Sequence, residues 1–130
     1  MAIELPDGIR LTAQRRVLLE LVDAWRGGFT VADLHEQARA RDVRIGLATA
    51  YRTLDLLRAA GAVKQVAIGD RHVYVRCHEG HHHHLVCTSC GSVEDTELCA
   101  APSEAELAQR HGFSPAGHEL DIYGTCRRCA

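Results

Sequence analysis

The chain has 130 residues, 15 Lys and Arg against 17 Asp and Glu for a formal net charge of −2, with six cysteines and nine histidines. No stretch approaches the roughly 18 consecutive apolar residues of a membrane helix, and no apolar leader precedes Leu11, which argues against membrane and secreted classes. The cysteines are therefore expected to be reduced, in a soluble cytoplasmic chain, and to bind metal rather than form disulfides.

Charge is divided unevenly along the chain. Residues 1–76 hold 12 basic against 9 acidic side chains, net +3, and residues 77–130 hold 3 against 8, net −5. The overall balance gives no reason to expect nucleic acid, but the asymmetry suggests two lobes with separate tasks. In the first lobe, residues 11–25 carry Leu11, Val17, Leu18, Leu21, Val22 and Trp25 at helical spacing, with Thr12 as N-cap and Gly27-Gly28 as the stop. Thr30 opens a second helix with Val31, Leu34 and Ala38 on its buried face, ending near Arg41-Asp42. A third helix runs over 47–60 and closes at Gly61. Residues 62–76 then alternate around Gly69-Asp70, which predicts a hairpin. Three helices and a two-stranded hairpin are the layout of a winged helix-turn-helix, the alternative being a small α+β lobe without a partner.

The third helix holds the residue types that a recognition helix uses. Thr49, Tyr51 and Arg52 could reach a groove with Leu54, Leu56 and Leu57 behind them, since Arg pairs bidentately with guanine and Tyr can lie on a thymine methyl. The alternative is a Tyr51 in the core and an Arg52 that is merely solvated, and the residues alone do not choose.

The second lobe opens with Cys77, His81, His82, His83, His84, Cys87 and Cys90, seven metal-binding donors within fourteen residues. If 81–85 is extended, His82 and His84 leave on one face and His81 and His83 on the other, so the run can serve two sites. A purification tag or a solvated patch is the bland alternative, but the run is internal and flanked by cysteines. Residues 92–97 predict a short strand, 103–111 a helix ending at Gly112, and 118–123 a last strand before Cys126-Arg-Arg-Cys129. A lobe this small is expected to need both a metal staple and a dimer partner.

Three donor constellations follow. Cys87 and Cys90 with Cys126 and Cys129 are two short knuckles, and four thiolates make a closed structural zinc site; a redox dithiol is the rival. Cys77 with His82 and His84 suits Zn(II) better than Fe(II) or Mn(II), which favour oxygen. Its fourth ligand is open between Asp70, His72 and Glu79. The third set is His81, His83 and His118 with Glu104. His35 and His111 lack ligand-spaced neighbours and are taken as structural.

Several motifs together resemble the ferric uptake regulator superfamily, and within it the zinc uptake regulator branch. They are Leu11-Thr-Ala-Gln-Arg-Arg, Ile45-Gly-Leu-Ala-Thr-Ala-Tyr-Arg-Thr-Leu, Val73-Tyr-Val-Arg-Cys77, the block from His81 to Gly91, His111-Gly-Phe, and His118 through Gly124-Thr-Cys. The resemblance implies a homodimeric repressor whose metal-loaded form binds a palindromic double-stranded operator, with two or three zinc ions per subunit. It implies that Arg10 approaches DNA and that Tyr51 and Arg52 read the major groove. Cys77, in place of the carboxylate of iron and peroxide sensors, points to zinc. Two positions depart from the pattern: Lys64 stands where related zinc sensors carry an aspartate ligand, and Ala101-Pro102 where the family has a glutamate ligand, so that Glu104 or Cys99 must substitute.

The expected architecture is α+β, a winged helix-turn-helix over 1–76, a metal-binding hinge over 77–84 and a small dimerisation and metal-binding lobe over 85–130. The expected function is a zinc-sensing repressor, not an enzyme, with no membrane partner and no small-molecule substrate. An iron, nickel or peroxide sensor of the same fold is the runner-up. A zinc hydrolase using Glu79 as base is remote, since no second catalytic group accompanies it.

Overall fold

A computed structural model describes residues 3–77 and 81–130 and divides into two compact units, Met1–Glu79 and Gly80–Ala130. The first unit is built from α1 (Ala13–Ala24), β1 (Gly28–Phe29), α2 (Val31–Ala40), α3 (Leu47–Ala59), β2 (Val63–Ile68) and β3 (Arg71–Arg76). The three predicted helices and the hairpin are all present. Thr12 and Thr30 cap α1 and α2 by accepting the amide hydrogens of Arg15 and Asp33 at 3.1 Å, and Asp33 returns a bond to the Thr30 N–H, satisfying amides that the first helical turn leaves open. Leu11 lies ahead of the Thr12 cap and is exposed, so it does not belong to the buried stripe; Leu19 is buried instead.

Leu18 and Val22 of α1, Leu34 of α2 and Leu54 and Leu57 of α3 are all fully buried and form one core with Phe29. Strand order in the sheet is β1-β3-β2, and β2 and β3 pair antiparallel from Val63↔Arg76 to Ile68↔Arg71. The tight reversal uses Gly69 at φ 60°, a left-handed conformation that glycine adopts without a Cβ penalty. β1 was not legible as a strand, because two residues are too few to show alternation. It exists because Phe29 enters the core while its backbone pairs with Tyr74.

The second unit contains β4 (His83–Cys87), β5 (Val93–Thr96), α4 (Glu104–His111) and β6 (Asp121–Gly124), in the sheet order β5-β4-β6. β5 pairs antiparallel with β4 and β6 pairs parallel with it; a parallel neighbour needs a crossover, and α4 lies in that connection. The last strand starts at Asp121 rather than 118, since β4 starts at His83 and earlier residues face no paired strand. Ser103 caps α4 with a capping box, and Gly112 at φ 59° ends it, yet no residue of α4 is buried. Among the described residues of this unit, Val86, Cys87, Val93, His83 and His84 are the buried side chains. No described helix is long and apolar enough to cross a membrane.

Candidate metal centres

The hairpin β4–β5 turns at the first cysteine knuckle, and the chain after β6 brings the second to it. The sulfurs of Cys87, Cys90, Cys126 and Cys129 all lie within 4.8 Å of one another, and Cys90 Sγ is 3.7 Å from Cys126 Sγ. A tetrahedron with Zn–S bonds of about 2.3 Å has edges of about 3.8 Å, so the four sulfurs fit zinc. The backbone N–H groups of Cys90 and Cys126 point at Cys87 Sγ at 3.5 and 3.4 Å and lower its pKa to about 5. Cys129, facing the sulfurs of Cys126 and Cys90, is pushed up to about 12. Four sulfurs this close cannot all hold negative charge without a cation among them.

On β4 the alternation of the histidine run places its members on opposite faces. His82 and His84 on one face form a donor group with Asp95, and His81 and His83 on the other form a group with His118 and Cys99. The parallel register His84↔Asp121 carries His118 alongside His81, with Nε2 atoms 3.0 Å apart, and His118 Nε2 is 3.3 Å from His83 Nε2. Burial first, then the neighbouring His81 and His118 imidazoles, lower the His83 pKa, which keeps a lone pair available. The fourth donor is the Cys99 thiol; Glu104 does not belong to this group. Its carboxylate starts α4, beyond the loop that brings Cys99 in.

His84 is the best-defined ligand candidate on the other face. It is 4 % exposed, its Nδ1 is 3.2 Å from Asp121 Oδ1, and its Nε2 is buried with no hydrogen-bond partner among the described residues. An imidazole N–H held by a carboxylate leaves the other nitrogen unprotonated and aimed, the arrangement that orients metal-binding histidines. Asp95 Oδ1 is 3.6 Å from that Nε2, and Asp95 is the register partner of His84 across β4–β5. The sequence reading named neither Asp95 nor Asp121. The signal was available in the turn: with Cys87 to Gly91 reversing the chain, Val86 pairs with Val93 and His84 must meet Asp95.

Cys77 belongs to the first unit, where its N–H extends the hairpin pairing to the Ala62 carbonyl at 2.8 Å. Asp70 and His72 are also in that unit, exposed, at the β2–β3 turn and the start of β3; Glu79 lies outside the described residues.

In α3, Ala50, Thr53, Leu54 and Leu57 face the core, while Arg52 is exposed and Tyr51 is 49 % exposed, so Tyr51 is not a core residue. Arg52 Nη2 donates to Thr49 Oγ1 at 3.4 Å, and Thr49 is half-buried beside it. Arg10 is exposed just ahead of the α1 cap, its carbonyl accepting from Arg15 at 2.8 Å. The segment entering α3 is pinned at two carbonyls: Gln14 donates to Arg44 at 3.1 Å, and the His35 Nε2–H donates to Ile45 at 2.8 Å. His35 is thus structural.

Residues 6–123, which span the three-helix unit and most of the sheet unit with its cysteine and histidine clusters, match the ferric uptake regulator family. The chain belongs to that family. Its members are metal-responsive transcriptional regulators rather than enzymes. The zinc uptake regulation protein of Mycobacterium tuberculosis is 44 % identical over 129 residues, covering 94 % of this chain and 95 % of that one. The ferric uptake regulation protein of Campylobacter jejuni is 32 % identical over 126 residues, covering 94 % and 80 %. Among solved structures, the zinc uptake regulator FurB of M. tuberculosis is 39 % identical with a TM-score of 0.52, over 90 % of this chain and 92 % of that one.

Proposed function

We propose that this ferric uptake regulator family member is a zinc-responsive repressor, acting in the cytoplasm as a homodimer that binds a palindromic double-stranded operator near metal uptake genes when loaded with zinc. The observation that carries zinc rather than iron is the donor chemistry: four sulfurs in one cluster, three imidazoles and a thiol in the second, and two imidazoles with one carboxylate in the third, a set richer in sulfur and nitrogen than oxygen-seeking ions favour. The 44 % identity to a zinc uptake regulation protein, against 32 % to a ferric one, supports the same choice.

In this reading Cys87, Cys90, Cys126 and Cys129 hold a permanent structural zinc. Cys77, His82 and His84 form the regulatory site, with Asp95, which lies in one donor group with His82 and His84, as the fourth ligand. An ion moves the protein toward its DNA-binding form only by the difference in its affinity for that form and for the others. A tenfold effect on operator affinity requires about 1.4 kcal/mol of coupling, and the same coupling makes DNA tighten zinc binding equally. Tyr51 and Arg52, with Thr49 beside them, read bases in the major groove, and Arg10 contacts the backbone. The homodimer is supported by Leu85 and Ile122, paired neighbours on β4 and β6 that are 37 % and 44 % exposed, an apolar patch suited to a second copy.

The test is operator binding at buffered free zinc. Cys77→Ser is expected to keep the four-cysteine zinc and the dimer while losing most zinc-dependent operator affinity. Unchanged repression by that variant at the same free zinc would move the switch to another site.

A further inference from the structure

The end of the β2–β3 hairpin is tied to two helices of its own unit. Cys77 follows β3, and its N–H donates to the Ala62 carbonyl at 2.8 Å; the Ala62 N–H in turn donates at 2.9 Å to the carbonyl of Leu57, a buried residue of α3. The Cys77 carbonyl accepts from Arg76 Nη1 at 3.5 Å, while Nη2 of the same guanidinium is ion-paired with Asp23 Oδ1 in the last turn of α1. Both backbone polar groups of Cys77 are thereby held, one from α3 and one, through Arg76 and Asp23, from α1.

The needs of α1 do not explain Asp23. A carboxylate in the last turn faces the negative end of the helix dipole, and that turn has no basic residue to offset it. Its cation comes from β3 instead. The Arg76 side chain is only 10 % exposed, so its charge is largely out of water and needs a paired anion. Glu20, one turn earlier on α1, makes a contrasting pair: it meets Arg41 at the end of α2 at 3.1 Å with both side chains exposed, a setting in which an ion pair contributes little. Arginine also suits the geometry at β3, since its planar fork reaches a carboxylate and a carbonyl with different nitrogens in a fixed relation, which a lysine ammonium on a flexible stem does not.

We propose that Arg76 is a positioning residue: braced against Asp23, its guanidinium fixes the Cys77 backbone in the frame of α1 and α3, so that the thiol is set in place before a metal arrives. The inference rests on the reading above that Cys77 is a ligand of the regulatory site. A ligand that is already ordered gives up less conformational freedom on binding, and its affinity for the ion rises accordingly. The brace also decides what the ion grips. A thiol on a loose chain end could take up metal without disturbing α3, whereas a thiol tied by backbone bonds to Leu57 passes its displacement to the helix that carries Tyr51 and Arg52.

The experiment uses the full-length protein with zinc retained in its four-cysteine site and reads Cys77 alone, as zinc protection of its thiol against iodoacetamide, followed at the Cys77 peptide across buffered free zinc. Asp23→Ala removes the brace and leaves the apolar core untouched. It should raise the free zinc needed for half-maximal protection by about 10-fold, as loss of a group that supports a ligand does, with the melting temperature of the first unit nearly unchanged. Asp23→Glu should restore most of the wild-type midpoint, and Glu20→Ala, which breaks the exposed pair on the same helix, should not move it. A midpoint unchanged by Asp23→Ala, or moved as far by Glu20→Ala, overturns the positioning role. Amide exchange of the protein with no zinc beyond its four-cysteine site tests the brace without the regulatory metal: the Cys77 amide should exchange faster in Asp23→Ala while those of Val73 and Val75 stay protected, and equal Cys77 exchange in the two proteins overturns the brace. Wild-type Cys77 that zinc never protects would overturn the regulatory-site reading, and with it the use of the brace for metal, while the exchange result still decides the brace itself.

Discussion

The two units solve the same problem with different forces. In the first, Leu18, Val22, Phe29, Leu34, Leu54 and Leu57 are buried from three helices and a strand, and apolar burial of about 25 cal/mol per Å² offsets chain entropy. In the second, the buried set among the described residues is Val86, Val93, Cys87, His83 and His84, and its helix α4 buries nothing. Three of those five side chains belong to groups that could hold a metal ion. The difference teaches that a sheet this small spends its interior on side chains able to ligate metal, so that under the proposed function its stability and its metal response are one property. Removing metal should therefore separate the units in every stability measurement.

The largest expected effect is loss of the four-cysteine zinc. Structural zinc contributes on the order of 10 kcal/mol to folding in small domains. Strong chelation, or Cys87→Ser, should abolish the protected amides of β4–β6 while α1–α3 keep their helical signal and a cooperative melt. A chelated protein whose β4 amides stayed protected would show that the second unit does not depend on the ion. The converse perturbation is Leu54→Ala, in the core of the first unit. It should lower that unit's stability by about 2–5 kcal/mol and leave zinc content unchanged. Zinc loss on this substitution would erase the contrast.

How much of this was readable from the residues follows from which signals are local. The helices were legible because Thr12, Thr30 and Ser103 announce their starts and Gly61 and Gly112 their ends, all within one turn of the element they govern. The four-cysteine cluster was legible because each half is a knuckle of adjacent ligands. β1 was not, since its pairing with Tyr74 bridges 45 residues and its own two carry no period. Asp95 and Asp121 were missed because their relation to His84 exists only through strand register. Glu104 was placed in the third set with Cys99 as its alternative, and the loop after β5 brings the Cys99 thiol rather than that carboxylate to His118. Leu11 was misassigned because periodicity does not show that a cap comes after it.

Between these extremes lie the two readout surfaces. Arg52→Ala should cost about 1–3 kcal/mol of operator binding and relax preference at one base pair, while metal content stays the same. A uniform loss for every DNA sequence would make Arg52 a phosphate contact. Binding should also fall steeply with salt, as counterion release requires. On the metal unit, Asp121→Asn removes the carboxylate behind His84 Nδ1 and should weaken zinc at the His82–His84 site by about 10- to 100-fold, with the four-cysteine zinc retained. An unchanged affinity in a zinc competition titration would show that the carboxylate does not orient the imidazole.

The smallest effect is also the finest comparison, because nature has placed the same capping box in both units. Thr30 begins α2 and Ser103 begins α4, each accepting an amide hydrogen at 3.1 Å and each returned by an acidic side chain. Removing either hydroxyl should cost about 1 kcal/mol. The consequences differ because the helices are held differently. α2 buries Val31, Leu34 and Ala38, so Thr30→Ala should lower the first unit's melting point while the helix stays formed to its first turn. α4 has eight residues and no buried side chain, so local propensity and its caps carry most of its stability. Ser103→Ala should therefore leave the melting point nearly unchanged and instead raise amide exchange through 104–111, most visibly without metal. If both substitutions gave the same exchange response, α4 would have to be anchored as firmly as α2, and the division between an apolar unit and a ligand-held unit would not extend to its helices.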